Sequence, residues 1–276
     1  MTRSETLPDT EKVLSILSDS LVKLTPQAYI KAIQSCFGIS SRAARKTLQQ
    51  LVEEQQLCYQ YHFGNTTVEF NFQRPVRVSD HFVLTPGPGL PADLGPDDIP
   101  IIIETGISFG SGQHPTTQLC LEAIDYWCCK PSKKQPKAIL NAADIGTGSG
   151  VLSLALSKAA NMNCDAFEID PVSIHEARKN IAKNGMTDKV HLFETVMDPM
   201  GKEYDVICAN LRLPTLRQLS EMIATCLART GAAILSGFRE EEIPALLSSF
   251  GTQRMKPVWQ KTRKNWSAFV LVPETC

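Results

Sequence analysis

Three glycines at alternate positions, directly behind an apolar run, narrow the folds open to this chain more than any other stretch. The run over residues 138–145 leads through Asp144, and Gly146, Gly148 and Gly150 follow it. Glycine is costly inside a helix or strand, so the spacing predicts a strand ending at Asp144, a tight loop, and a helix starting near Gly150. This is the first turn of a nucleotide-binding α/β sheet, whose ligands sit at the carboxyl ends of the strands. Gly146 and Gly148 would let the backbone approach a ligand, and Gly150 would allow close packing at the helix start. Residue 151 is Val, so the spacing is G-x-G-x-G and departs from the dinucleotide fingerprint G-x-G-x-x-G. That register favours a ligand without a pyrophosphate. An ordinary glycine-rich turn is the competing reading.

The sequence around the loop supports an α/β sheet. Apolar runs at 138–145, 164–169, 205–209 and 232–235 alternate with amphipathic stretches at 150–160, 173–184, 214–228 and 240–250. Strands this apolar are expected to be parallel, with helices on both faces. Glu168 stands 22 residues beyond Gly146, where a strand-end carboxylate accepts two ribose hydroxyls; a solvated strand-end charge is the plain alternative. A ribose-bearing ligand that brings no phosphate to the helix points to S-adenosyl-L-methionine. Asp170, followed by Pro171, reads as a helix cap, with direct ligand contact as a second reading.

Residues 1–73 have a different pattern. Val13, Leu14, Leu17 and Leu21 mark one helix, Thr25-Pro26 opens a second that Gly38 closes, and Ser40-Ser41 opens a third. The period then changes. Leu57, Tyr59, Tyr61 and Phe63 alternate, Gly64-Asn65 turns the chain, and Val68, Phe70 and Phe72 alternate back. Three helices and a hairpin predict a winged-helix-like α+β domain. Residues 74–100 hold six of the 17 prolines and read as a stiff connector with one short strand at 81–84, leaving 101–276 as the α/β domain.

Composition limits the partners. Lys plus Arg number 28 against 29 Asp plus Glu, a net charge of -1, so no global positive field would gather nucleic acid or a membrane. The nine cysteines include no C-x-x-C pair, which argues against a disulfide framework or a zinc cage; Cys164 and Cys208 fall in apolar strands as core residues. No signal-peptide pattern and no apolar run of membrane-spanning length is present, so a cytoplasmic protein is expected.

Three segments, ETGISFGSGQHPTT (104–117), DIGTGSG (144–150) and DVICANLRL (205–213), resemble the bacterial methyltransferases that modify ribosomal protein L11. The likeness covers about residues 76–276, including the closing strand NWSAFVLV. It implies a Rossmann-like class I methyltransferase sheet using S-adenosylmethionine, with Thr117, Asp144, Gly146, Gly148, Gly150, Glu168 and Asn210 as cofactor contacts. Phe109 and Gly110 would cover the cofactor from the preceding loop. Two departures stand out. The family usually has Asp where this chain has Glu168, and it carries a ferredoxin-like recognition domain where this chain reads as a winged helix.

Methyl transfer from a sulfonium is an in-line displacement, so alignment and a dry pocket matter more than a strong base. Asn210 would accept a hydrogen bond from an incoming amine, hold the methionine portion of the cofactor, or only satisfy the strand end. His114 would steer a proton or bind loop backbone. Amide and nucleobase-amine methyltransferases commonly place N-P-P-aromatic after this strand; here Asn210 is followed by Leu211, Arg212 and Leu213, which favours a flexible aliphatic amine. A protein substrate is expected, a ribosomal protein among the candidates. The alternatives are a nucleic-acid-binding regulator that senses the cofactor, and a nucleic-acid or small-molecule methyltransferase. The third predicted helix carries Arg42, Arg45 and Lys46, but also Glu53 and Glu54, a thin footprint for phosphate.

Overall fold

The computed structural model describes residues 8–62, 64–87, 91, 94–104, 112–129, 140–198 and 201–274. The chain forms two compact units, Met1–Arg74 and Pro75–Cys276.

In the first unit, α1 (Thr10–Asp19), α2 (Pro26–Phe37) and α3 (Ser41–Glu53) precede an antiparallel hairpin of β1 (Leu57–His62) and β2 (Asn65–Phe70). Local chemistry sets the helix ends. The Thr25 hydroxyl accepts the Ala28 amide, Ser40 does the same for Ala43, and Gly38 ends α2 in the left-handed region, donating to the Gln34 carbonyl. Val13, Leu17, Tyr29, Ile33, Leu48, Leu51, Leu57 and Val68 form the core, each such side chain contributing about 1.5–3 kcal/mol on full burial. The Tyr29 hydroxyl donates to the Val13 carbonyl at 2.7 Å, so the ring is buried without an unmet polar group. The hairpin alternates less usefully than its sequence suggests: Leu57 is buried, but Tyr59 and Tyr61 are 49% and 73% exposed. The hairpin turns Leu57 and Val68 to the helical core and leaves the two tyrosines toward solvent.

The second unit begins with a small sheet of β3 (Val76–Arg77), β4 (Phe82–Thr85) and β5 (Ile99–Ile102), in the order β3-β4-β5. The stretch read as a connector with one strand thus carries three strands. Phe82, Leu84 and Ile101 are buried in the main core. After α4 (Pro115–Cys128) come β6 (Asn141–Ile145), α5 (Val151–Ala160), β7 (Asn163–Phe167), α6 (Pro171–Lys183) and β8 (Val190–Phe193). They are followed by β9 (Tyr204–Asn210), α7 (Leu213–Cys226), β10 (Leu227–Arg239), α8 (Ile243–Gly251), β11 (Met255–Arg263) and β12 (Trp266–Pro273).

The seven strands are ordered β11-β12-β10-β9-β6-β7-β8. Those from β10 to β8 are parallel, while β12 runs antiparallel to both β10 and β11. Neighbouring residues of one strand serve opposite cores: Ala142, Val206, Cys208 and Ile234 pack with α4 and α5, and Ala143, Ile207, Ala209 and Leu235 with α7 and α8. The period of two, apolar at every step, places helices on both faces. Cys164 and Cys208 are fully buried in this core. Chain order reverses between β6 and β9, which opens a crevice at their carboxyl ends.

Candidate functional site

The glycine loop lies at this crevice and is tied on both sides. The Gly146 and Thr147 amides donate to the Phe167 carbonyl at 2.9 and 3.0 Å, fixing the loop to the end of β7. The Asn180 amide group of α6 donates to the Ser149 carbonyl at 2.8 Å, and its oxygen accepts the Glu104 amide. A Cβ at Gly146 (φ +72°) would come 2.7 Å from Leu211, and one at Gly150 (φ +84°) 3.4 Å from the Ala177 backbone. Gly146 therefore leaves room for the Leu211 side chain at a left-handed φ, while Gly150 allows α5 to start against α6.

A cavity of about 570 Å³ opens above the loop, within the usual range for a small-molecule site. Thr117, Gly146, Gly148, Glu168 and Asn210 line it together, although they come from α4, the loop, the end of β7 and the end of β9. Asp144, Gly150 and His114 are not on its wall. Phe109 and Gly110 lie outside the described residues.

Glu168 does more than end a strand. One carboxylate oxygen accepts the Gly148 amide at 2.9 Å, and the other accepts the Ile169 and Asp170 amides at 2.8 and 3.0 Å. The extra methylene relative to Asp allows this reach back to the loop, and a carboxylate retains acceptor capacity for hydroxyls. Asp170 caps α6, accepting both the Ser173 amide and hydroxyl at 2.8 Å. These bonds to Ser173 hold its carboxyl below the usual carboxylate range.

Three buried polar atoms in this region have no hydrogen-bond partner among the described residues: Thr117 Oγ1, Asp144 Oδ1 and Asn210 Oδ1. Each such group costs about 1–3 kcal/mol when buried unmet. Asp144 Oδ2 accepts from the Thr147 hydroxyl at 2.6 Å, and full burial raises the Asp144 pKa to about 7, with the Glu168 charge adding to the rise. Thr117 and Asn210 both line the cavity, and each carries a buried oxygen with no partner among the described residues. A ligand bearing an ammonium group would satisfy them, and a ribose would meet Glu168. The apolar remainder of the wall includes Ile169, Val196, Met197 and Met222, which suits a purine face. The residues present therefore fit S-adenosylmethionine.

His114 plays a local part. It caps α4, its Nδ1 accepting the Thr116 amide and lying 2.7 Å from the Thr116 hydroxyl. The ring meets Trp266 edge-on at 5.0 Å, and Arg239 lies 3.7 Å over the same indole. Burial, helped by the Arg239 charge, lowers the His114 pKa, so the ring is a neutral cap away from the cavity.

Several contributors escape the sequence reading. Val196 and Met197 follow β8, a four-residue edge strand whose sequence VHLF lacks an apolar run long enough to announce it. Gly237 (φ +98°) is another. A Cβ there would lie 2.3 Å from the Leu211 carbonyl oxygen, so this glycine lets the segment after Asn210 pass close to β10. The Leu211 amide donates to the Ser236 carbonyl at 2.9 Å. Its sequence signal is a lone glycine within an apolar strand.

Comparison with known proteins agrees with this geometry. The family described as ribosomal protein L11 methyltransferase matches residues 65–273. The ribosomal protein L11 methyltransferases of Brucella suis and Geotalea daltonii are 34% and 30% identical over 207 and 204 residues. These matches cover 72% and 73% of this chain, and the chain spans 68% and 65% of the two relatives' lengths. The crystal structure of ribosomal protein L11 methylase from Lactobacillus delbrueckii subsp. bulgaricus superposes with a TM-score of 0.63 at 24% identity, covering 73% of this chain and all of that one. This likeness shows the shared class I methyltransferase fold.

Proposed function

Since the chain belongs to the ribosomal protein L11 methyltransferase family, we propose that it transfers a methyl group from S-adenosylmethionine to an aliphatic amine of a protein, a lysine side chain or an amino terminus. The observation that carries this reading is the convergence of Glu168, Thr117, Asn210 and the glycine loop on one cavity at the strand ends. When bound, the cofactor supplies a methyl group activated by its sulfonium. Glu168 would hold the ribose, Thr117 the methionine end, and the glycine loop the space between. An amine must arrive neutral, and a partly desolvated wall lowers the pKa of an incoming ammonium. Asn210 Oδ1 would accept a hydrogen bond from that amine and orient its lone pair. Among the described lining residues Phe167 is the one aromatic.

The first unit, which we read as winged-helix-like, would choose the substrate; all but its last ten residues lie outside the family match. Its surface gives a nucleic-acid role slender support, with Arg42, Arg45 and Lys46 lining one shallow groove on α3. Methyl-labelled cofactor incubated with the full chain and a cell lysate, with and without nuclease, tests the proposal. A labelled protein band that survives nuclease is expected. Label confined to nucleic acid would overturn it.

A further inference from the structure

A second cluster of chemically capable side chains lies where β4 meets the carboxyl end of α4. The His81 backbone amide donates to Asp125 Oδ2 at 3.0 Å, and His81 Nδ1 lies 2.7 Å from Asp125 Oδ1. Cys129, the C-cap residue of α4, sits one turn beyond Asp125 and donates its amide to the Asp125 carbonyl. One donor atom from each of His81, Asp125 and Cys129 falls within 4.8 Å of the other two. The three border a cavity of about 400 Å³. Glu122, which shares that cavity, is already paired with Lys261 and Arg263, so it does not compete.

We propose that His81, Asp125 and Cys129 form a binding site for a divalent transition metal of the zinc class. Imidazole nitrogen, carboxylate oxygen and thiolate sulfur are a donor set suited to zinc or cobalt and poorly suited to magnesium or calcium. Tetrahedral coordination with bonds of about 2.0–2.3 Å places donors roughly 3.3–3.6 Å apart. The imidazole and carboxylate, now in hydrogen-bond contact, must therefore separate by about 0.6 Å or slightly more, and the remaining position faces the cavity. The helix end adds to the attraction: the last carbonyls of a helix carry partial negative charge, and the last turn of α4 contains no basic residue. Binding balances in charge and protons. The Cys129 thiol releases its proton to solvent, and His81 Nδ1 gives up any proton it shares with Asp125 Oδ1, to Nε2 or to solvent, before it can ligate. The metal would clip the turn before β4 to the helix whose other end carries Thr117.

The test uses the full chain, stripped with chelator and titrated with cobalt(II). About one equivalent should bind, giving thiolate-to-cobalt absorption and tetrahedral visible bands that zinc displaces. Cys129→Ser should abolish the thiolate band while leaving the circular dichroism and cofactor binding unchanged, whereas Cys58→Ser should leave the band intact. Zinc at a hundredfold excess over its Kd should raise the Tm by roughly 5–10 °C, and this gain should vanish in Cys129→Ser. Absence of the band from the wild-type protein, or its survival in Cys129→Ser, would overturn the assignment.

Discussion

Glu168 tests the site at its smallest scale. Its carboxylate secures the Gly148 amide and is the expected ribose acceptor, so Glu168→Ala should weaken S-adenosylmethionine binding by about 1.5–3 kcal/mol. Glu168→Asp, the residue usual in the family, should retain most of the affinity. Isothermal titration distinguishes these outcomes, and equal affinity for wild type and Glu168→Ala would place the ribose elsewhere. Asp144 makes a prediction about pH. Its folded pKa is raised from 3.8 to about 7 by burial, so the folded state holds this proton more tightly than the unfolded chain. Stability from this group is therefore greatest below pH 4 and declines as pH rises to about 7. Asp144→Asn should remove the decline, gaining on wild type across that window by an amount on the order of a few kcal/mol. Urea melts at pH 5 and pH 8 would show it, and a constant difference between the two proteins would count against it. Glu168 is legible in the sequence because ribose geometry fixes its distance from the glycines. The unmet state of Thr117, Asp144 and Asn210 is not legible, since satisfaction of a polar atom depends on neighbours from distant segments.

Elements carry the next level of specification. Apolar runs announce β6, β7, β9 and β10 because each is buried on both faces. They do not announce β8 or β11, which are edge strands whose residues are half solvated. The segment after β9 depends on a single glycine of β10. Gly237→Ala should force the Leu211 backbone away, since the new Cβ would lie 2.3 Å from its carbonyl oxygen at a φ of +98°. A loss of roughly 1–3 kcal/mol in stability, with weaker cofactor binding through displaced Asn210, is expected. A thermal melt and a titration matching wild type would show that the 210–213 segment yields freely. Asn180 illustrates a different kind of hidden contributor: it joins the glycine loop to Glu104 by two hydrogen bonds, yet in sequence it is one polar residue within an amphipathic helix.

The whole molecule divides after Arg74. Limited proteolysis near residue 75 should release a second unit that still binds S-adenosylmethionine but no longer methylates the natural target, because binding energy from the first unit is then missing from the transition state. Full turnover by the isolated second unit would remove the first from substrate choice. The intact protein should show no tight duplex DNA binding at physiological salt. A nanomolar gel shift there, abolished by Arg42→Ala with Lys46→Ala, would favour the regulator reading. The family resemblance was legible through short motifs around the crevice, whereas the role of the first unit was not, since recognition surfaces are set by shape and partner.

The tethering of the glycine loop has a kinetic consequence. Gly146, Thr147, Gly148 and Ser149 are each held by hydrogen bonds to β7, Glu168 or α6 with no ligand needed to complete them. The floor of the cavity is thus rigid before either form of the cofactor arrives, and exchanging spent donor for fresh donor requires no refolding beneath it. Little conformational entropy is lost there on association. Residence time should then follow the few polar contacts made by each ligand, so that substitution of Thr117, which holds no part of the loop, changes the dissociation rate while leaving the association rate nearly constant.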